Sequence, residues 1–337
     1  MGRHVLISDP SLRDGNHAVR HQLTPAQIAA YCRRADAAGV PIVEVGHGNG
    51  IGASSLQLGE AAAEDDALLR AAREALTTAQ LGIHVIPGFA TIERDLKPAL
   101  DLGVDVFRIA AHCTEADITE RFIAFARANG RTAYGVLMMS HMAEPDVLAE
   151  EAHKMEACGA ETLVIMDSAG AYLPDDVRRR IGILAERLTI PVGFHAHNNL
   201  GLAIANSVAA VEAGATMLDG CARGFGAGAG NAQLEVLVAV LHKMGFETGI
   251  DLYRLLDLAD FAERELMEEV PTISSTSVIS GLAGVFSGFL KPATRIAAEY
   301  GVDARDIFFE LGRRGAVAGQ EDLILEVAQD LARKQAA

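Results

Sequence analysis

Two short stretches of this sequence carry side chains able to do acid, base or metal chemistry. The first, Ser11-Leu12-Arg13-Asp14-Gly15-Asn16-His17, places a cation, a carboxylate and an imidazole close together. The second is Phe194-His195-Ala196-His197-Asn198-Asn199. Residues i and i+2 of a strand point to the same face, so His195 and His197 aim one way. Two neutral imidazoles and the Asp14 carboxylate would suit Mn²⁺, Mg²⁺, Co²⁺ or Fe²⁺, with coordination positions left open. No thiolate accompanies them, which argues against a structural zinc site. An open divalent cation can chelate a 2-oxo acid through its carboxylate and ketone and polarise the ketone. Arg13 would then stabilise a developing enolate, and His17 would act as general acid or base. Taken singly, each stretch has a plainer reading, a surface ion pair in one case and satisfied rim histidines in the other. They make a site only if the fold brings positions 14, 195 and 197 together.

A third stretch, Arg223-Gly-Phe-Gly-Ala-Gly-Ala-Gly-Asn231, has glycine at alternate positions. That pattern permits close backbone approach to a ligand or tight turns. It fits neither G-x-G-x-x-G nor a phosphate-binding G-K-[ST] loop. Asn231 is expected to cap the following helix, to face a ligand, or both. Covalent catalysis through a lysine Schiff base is disfavoured. Lys97, Lys154, Lys243, Lys291 and Lys334 all fall in or beside helical stretches or in the tail, and none ends a strand.

The elements that must position these residues can be read from the pattern. Apolar, β-rich runs occur at His4–Ser8, Pro41–Gly46, Ile83–Pro87, Val104–Ala110, Thr132–Met139, Thr162–Asp167, Val192–His197 and Thr216–Gly220. They begin about 30 residues apart, the length of one βα unit. Their near-continuous apolarity suits parallel strands covered on both faces. Helix signals lie between them, such as the capping box Thr24-Pro25-Ala26-Gln27. Eight parallel βα units close most economically into a (β/α)8 TIM barrel. An open doubly wound sheet is the weaker reading, because no glycine cluster follows the first strand. In a barrel, strand ends carry the chemistry, and the first and seventh strands lie two positions apart around the ring. From Asn231 onward, helical periodicity dominates over Leu234–Met244, Leu252–Glu269, Ser280–Phe289, Ile296–Tyr300 and Leu323–Lys334, with no clear strand. The expected division is a barrel over 1–230 and a helical domain over 231–337.

Composition narrows the partners. The 337 residues carry 29 Lys+Arg against 45 Asp+Glu, a net charge of −16. Such a surface repels phosphate backbones and anionic lipid, so neither nucleic acid nor membrane is an expected partner. No apolar run reaches membrane-spanning length. The first ten residues lack an apolar signal core, and the four cysteines (Cys32, Cys113, Cys158, Cys221) show no paired spacing. Both features point to a reduced, cytoplasmic protein. Cys113, near a strand end, is read as packing in preference to a reactive thiol.

Together the motifs resemble the 4-hydroxy-2-oxovalerate aldolases, the metal-dependent pyruvate aldolases that end meta-cleavage pathways for aromatic compounds. The resemblance rests on Ser11–His17, Ala111-His-Cys-Thr-Glu-Ala-Asp117, Leu137-Met-Met-Ser-His-Met142, His195-Ala-His-Asn-Asn199, Gly224–Asn231, Glu310-Leu-Gly-Arg-Arg314 and Gly319-Gln-Glu-Asp322, which span nearly the whole chain. It implies a TIM barrel with a C-terminal helical communication domain. It implies a divalent metal, Mn²⁺ ahead of Mg²⁺ or Co²⁺, held by Asp14, His195 and His197. Arg13 would stabilise the enolate, His17 would take the C4 hydroxyl proton, and Ser168 would lie near the pyruvate moiety. The reaction implied is cleavage of a 4-hydroxy-2-oxo acid to pyruvate and an aldehyde. An acylating acetaldehyde dehydrogenase, paired as a heterotetramer, would receive the aldehyde by channelling.

Two positions depart from the family pattern, and both are expected to face the substrate. Phe286 stands where a tyrosine is usual beside the catalytic His, and His84 stands where leucine is common. The metal and pyruvate side is therefore expected to be retained, while aldehyde identity and C4 stereochemistry are open. Other readings are the same chemistry run as a biosynthetic condensation, an acetyl-CoA-dependent Claisen synthase, a 2-His-1-carboxylate oxygenase, and a non-enzymatic scaffold for a dehydrogenase. The synthases usually carry Glu-Arg in the glycine loop, where this chain has Ala227-Gly228.

Overall fold

A computed structural model describes residues 3–336. Eight parallel strands close into a barrel in chain order. After a short strand β1 (Arg3–His4), they are β2 (Leu6–Leu12), β3 (Ile42–Val45), β4 (Gln80–Val85), β5 (Val106–His112), β6 (Thr132–Met138), β7 (Thr162–Asp167), β8 (Val192–Ala196) and β9 (Met217–Asp219). β9 returns to β2, pairing Leu6 with Met217 and Ser8 with Asp219. The helices between them form the outer layer, as expected for a TIM barrel. Among the described residues no helix is long and apolar enough to cross a membrane.

Strand alternation sorts the side chains into two environments. Val43, Val45, Ile83, Val85, Phe107, Ile109, Leu163 and Ile165 point outward into one large core shared with the helices. Ile42, Val106, Ala110, Tyr134, Val136, Val164, Met166 and Met217 form a smaller cluster inside the barrel. Double burial explains why the strands read as continuous apolar runs. The expected capping box is formed: Gln27 N donates to Thr24 Oγ1 at 3.3 Å, and Thr24 N donates back to Gln27 Oε1 at 3.0 Å. That helix (Pro25–Ala38) stops at Gly39, whose φ of 79° is cheap only for glycine.

The barrel interior also carries charge. Arg108 on β5 is fully buried. Its Nη1 and Nη2 donate to both oxygens of Asp219 at 2.9 and 2.6 Å, Nη1 also donates to Ser8 Oγ at 3.0 Å, and Nε lies 3.1 Å from Glu44 Oε2. One guanidinium thus ties β2, β3, β5 and β9 across the centre. A buried ion pair of this kind is costly to break from one side, because the surviving charge is left without solvent or partner.

C-terminal to the barrel, the structure corrects two expectations and suggests a different domain division. The helices Leu234–Lys243 and Leu252–Glu265 pack Leu237, Leu241, Leu255 and Leu258 into the barrel's own core. A second apolar cluster begins only at Val285 and is built from later helices. A division at 230/231 falls in the loop before Leu234 and separates these two helices from the barrel they cover, so we propose a division between 266 and 274. A strand does occur after 231: β10 (Phe246–Glu247) pairs in parallel with β1, too short a pair to leave a periodicity. The expected helix over Ser280–Phe289 is broken. It starts earlier, as Ser275–Ala283 capped by Ser274 Oγ, and ends at Gly284 with φ 66°. The helices Leu290–Tyr300, Ala304–Arg314 and Asp322–Ala336 complete this second unit.

Replacing Arg108 by methionine would leave Glu44 and Asp219 buried without their shared cation. The expected outcome is a loss of about 3–5 kcal/mol in unfolding free energy. It would be read as a lower urea midpoint at unchanged slope. A midpoint equal to wild type would show that these ion pairs do not hold the interior.

Candidate active site

The strand ends bring the two stretches together. Asp14 follows β2 at the head of the short turn Gly15–Ala18, His195 is the penultimate residue of β8, and His197 lies one residue beyond that strand. Asp14, His195 and His197 each offer a ligand atom within 4.8 Å of the others, and all three are buried. His195 Nε2 and His197 Nε2 are 3.4 Å apart. His195 Nδ1 is 2.9 Å from Asp219 Oδ2. Burial alone would raise the Asp219 pKa, but Arg108 outweighs it and holds the carboxyl at about 2. Asp219 is thus an ionised acceptor that fixes the tautomer of His195, leaving Nε2 with a free lone pair, an arrangement common behind metal-ligating histidines. Burial pushes His197 down to about 3, so it is a neutral imidazole near pH 7.

Asp14 is held ionised from two sides. Burial opposes its charge, but the adjacent Arg13 keeps it well below the usual carboxylate range. Arg13 Nη1 donates to Asp14 Oδ1 at 2.8 Å, while Asn231 Nδ2 and Ala227 N donate to Oδ2 at 2.6 and 3.1 Å. Asn231 is therefore not the expected helix cap. The next helix starts at Leu234 after Gln233, and the Asn231 side chain is turned onto Asp14 instead. The glycine loop owes its composition to this approach. A Cβ on Gly226 would fall 2.1 Å from Asn231 Nδ2 and 2.5 Å from Asp14 Oδ2. The donor set fits a divalent cation: two imidazole nitrogens, one ionised carboxylate, and no available thiolate. Cys221 Sγ lies 3.2 Å from Asn231 Nδ2, yet burial keeps its thiol protonated. The same cause pushes Cys113 up to about 12, in line with a packing role.

Arg13 is anchored so that one donor remains free. Nε donates to Glu44 Oε1 at 2.5 Å and Nη1 also reaches Gly48 O at 3.2 Å, whereas Nη2 is buried with no partner. His17 lies on the turn after Asp14. Its ring rests on the Gly48 backbone, where a Cβ would come within 2.7 Å of three ring atoms. Phe286 meets it edge-on at 6.2 Å between centroids. Burial lowers the His17 pKa, only partly offset by Asp14, so the imidazole is the free base near neutrality.

The remaining expected residues sit around this group. Ser168, just past β7, accepts a hydrogen bond from Met139 N at 3.0 Å, which leaves its hydroxyl proton to donate. Its carbonyl accepts from Ser287 N at 2.9 Å, joining the barrel mouth to the helical unit. His84 on β4 points into the barrel and is 2% exposed. His17 and Phe286 line a cavity of about 1080 Å³ between the barrel mouth and the helical unit, together with His21, Gly226, Lys291 and Leu325. Ser168 and His84 lie outside its lining.

Several participants escaped the sequence reading. Glu44, Arg108 and Asp219 are single charges inside apolar strand runs, a signal that was present. His21 and His47 stack at 3.6 Å between centroids. His21 Nδ1 accepts from Gly48 N at 3.2 Å, and His47 accepts from Asn49 N at 3.1 Å. The pair seats the loop after β3 against His17.

Comparison with known proteins agrees over the full length. The HMGL-like family model matches residues 4–262, and a DmpG-like communication domain model matches residues 271–333. The chain is 67% identical over 327 residues to a 4-hydroxy-2-oxovalerate aldolase of Spirochaeta aurantia, covering 97% of this chain and 96% of that one. It is 62% identical over 334 residues to the protein of the same name from Pectobacterium atrosepticum, covering 99% and 97%. In fold it is similar to the carboxyl transferase domain of Rhizobium etli pyruvate carboxylase, with a TM-score of 0.82 at 16% identity, covering 98% of this chain and 61% of that chain.

The groups behind the ligands are open to test apart from turnover. In Asp219→Asn and in Asn231→Ala, Mn²⁺ affinity is expected to fall about 10–100-fold, by calorimetric titration of folded protein. Affinity within twofold of wild type in both variants would show that neither side chain orients a ligand.

Proposed function

The chain belongs to the 4-hydroxy-2-oxovalerate aldolase family, and from that premise we propose that it cleaves 4-hydroxy-2-oxo acids of the 4-hydroxy-2-oxopentanoate type to pyruvate and an aldehyde. The observation that carries the reading is the convergence of Asp14, His195 and His197 beside a free Arg13 donor and a neutral His17. Asp14, His195 and His197 would hold the divalent cation, Mn²⁺ being the favoured ion. The cation would supply Lewis acidity to the 2-oxo group and a second point of attachment for the substrate carboxylate.

This chain's residues then account for the proton and charge movements. His17 accepts the proton of the C4 hydroxyl. The C3–C4 bond breaks, the aldehyde carbonyl forms at C4, and the bonding electrons pass to C3 and into the enolate of pyruvate. Arg13 Nη2, buried and without another partner, donates to the enolate oxygen as its charge develops. Ser168 donates to the pyruvate portion. Return of a proton to C3 completes pyruvate, so the step is neutral in protons overall. Phe286 offers His17 a hydrophobic edge and no hydroxyl, so the aldehyde end is steered by shape and contact rather than by a phenol. The communication domain match supports pairing with an aldehyde dehydrogenase, which would take the released aldehyde from the cavity beside His17. A heterotetramer with an acylating acetaldehyde dehydrogenase in the cytoplasm is the assembly we favour.

Metal-stripped protein is expected to release no pyruvate from 4-hydroxy-2-oxopentanoate, and added Mn²⁺ is expected to restore release in wild type but not in Asp14→Ala. Full turnover without a divalent cation would overturn the reading. Arg13→Ala should lower kcat by about 10²–10³-fold, and His17→Ala by about 10²–10⁴-fold. The pH profile has a definite sign. His17 works as the free base and its pKa lies below 6.5, so kcat/KM should hold through neutral pH and fall only in the acid range. A limb above pH 7 that His17→Ala removes would contradict the assignment.

A further inference from the structure

β4 contributes one polar side chain to the upper interior of the barrel, His84. It lies across from Arg108 on β5, with Gly82 below it on the same face. Its Nδ1 is sealed from solvent and has no hydrogen-bond partner. Its neighbours are at least charge-paired: Arg108 donates to Ser8 and Asp219, and its Nε lies 3.1 Å from Glu44 Oε2 as an ion pair without a hydrogen bond. A buried polar atom without a partner is costly, and in native proteins such atoms are met by protein, water or ligand. Arg108 is its register partner on β5, and Arg13, Asp14 and His195 lie at the same C-terminal ends of the barrel strands.

Chemistry limits what can meet it. No carboxylate is hydrogen-bonded to Nδ1, and Arg108 stands across from the ring in the β4–β5 register, so nothing there holds a second proton on it, and a neutral imidazole has one ring nitrogen donating and the other accepting. A neutral imidazole has no charge for a carboxylate. No cation nearby is free to help: Arg108 is committed to Asp219 and Glu44, and Arg13 to Asp14 and Glu44 apart from the donor assigned to the enolate oxygen. The group that matches is uncharged and can both donate and accept, which describes a hydroxyl. The pyruvate half already has its partners in the cation, Arg13 and Ser168, so the hydroxyl belongs to the aldehyde half.

We propose that His84 is a specificity-determining residue that hydrogen-bonds a hydroxyl on the carbon next to C4, so that the preferred substrates are 4-hydroxy-2-oxo acids releasing a 2-hydroxyaldehyde. The inference rests on the cleavage reading above and names its substrate class. A site built around such a bond discriminates against the analogue lacking the hydroxyl, because the imidazole is then left unpaired.

The test compares Mn²⁺-loaded enzyme on 4,5-dihydroxy-2-oxopentanoate and on 4-hydroxy-2-oxopentanoate, with pyruvate release as the readout. Wild type should favour the dihydroxy acid in kcat/KM by about tenfold or more. His84→Leu should bring the ratio to about one, and His84→Gln, which can still donate and accept, should keep part of the preference. A wild-type ratio at or below one would overturn the proposal with no variant needed. A preference that survives intact in folded His84→Leu would overturn it as well, and in both cases cleavage itself would stand. No pyruvate from either acid would remove the cleavage reading and this inference together.

Discussion

A single line of alternating charge runs through the middle of this barrel, and the site is built on it. Asp219 pairs with Arg108, Arg108 with Glu44, Glu44 with Arg13, and Arg13 with Asp14. Three carboxylates face two guanidiniums, and all five are buried. Buried charges are tolerated only when paired and hydrogen-bonded, so each member constrains the position of the next. The line ends twice at the mouth, at Asp14 and, through Asp219, at His195. Its surplus is one negative charge, beside the imidazoles of His195 and His197. That is the environment a divalent cation completes, and it explains why Asp14 stays ionised despite burial.

The line also sets what the loops above it must do. Gly226 and Asn231 bring the loop after β9 onto Asp14, while Gly48 brings the loop after β3 under His17 and onto Arg13. Each contact is closer than a side chain would allow, so glycine appears where backbone meets a working group. The helical unit reaches the same place from the other side. Phe286 meets the His17 ring, and Ser287 N is bonded to Ser168 O. The mouth is therefore assembled from elements far apart in the chain, and the cavity between the two units lies where a released aldehyde would leave.

Much of this was legible before any coordinates. Eight double-buried strands announce themselves as apolar runs at regular spacing, and Asp14, His17, His195 and His197 stand out because such residues are conspicuous at strand ends. The charge line was harder to see. Glu44 in Ile42-Val43-Glu44-Val45 and Arg108 in Val106-Phe107-Arg108-Ile109 look like interruptions until three-dimensional pairing gives each a partner more than sixty residues away. The role of Asn231 stays open in the sequence, because asparagine after a glycine loop is also a common cap, and only the fold shows its side chain turned onto Asp14. The strand at Phe246–Glu247 exists through its pairing with β1, and a two-residue element has no period to detect. A division near 270 leaves no mark in the sequence, because helices that cover a barrel and helices that leave it share the same periodicity.

The claim on which the account stands is that one divalent cation sits among three side chains oriented by the buried charge line. Crystals grown with Mn²⁺ and measured at the manganese absorption edge test it directly. The account predicts one strong anomalous peak bounded by Asp14, His195 and His197, within coordination distance of an oxygen of Asp14 and a nitrogen of each histidine. A fully loaded crystal with no peak there, or with its manganese bound elsewhere, would contradict it.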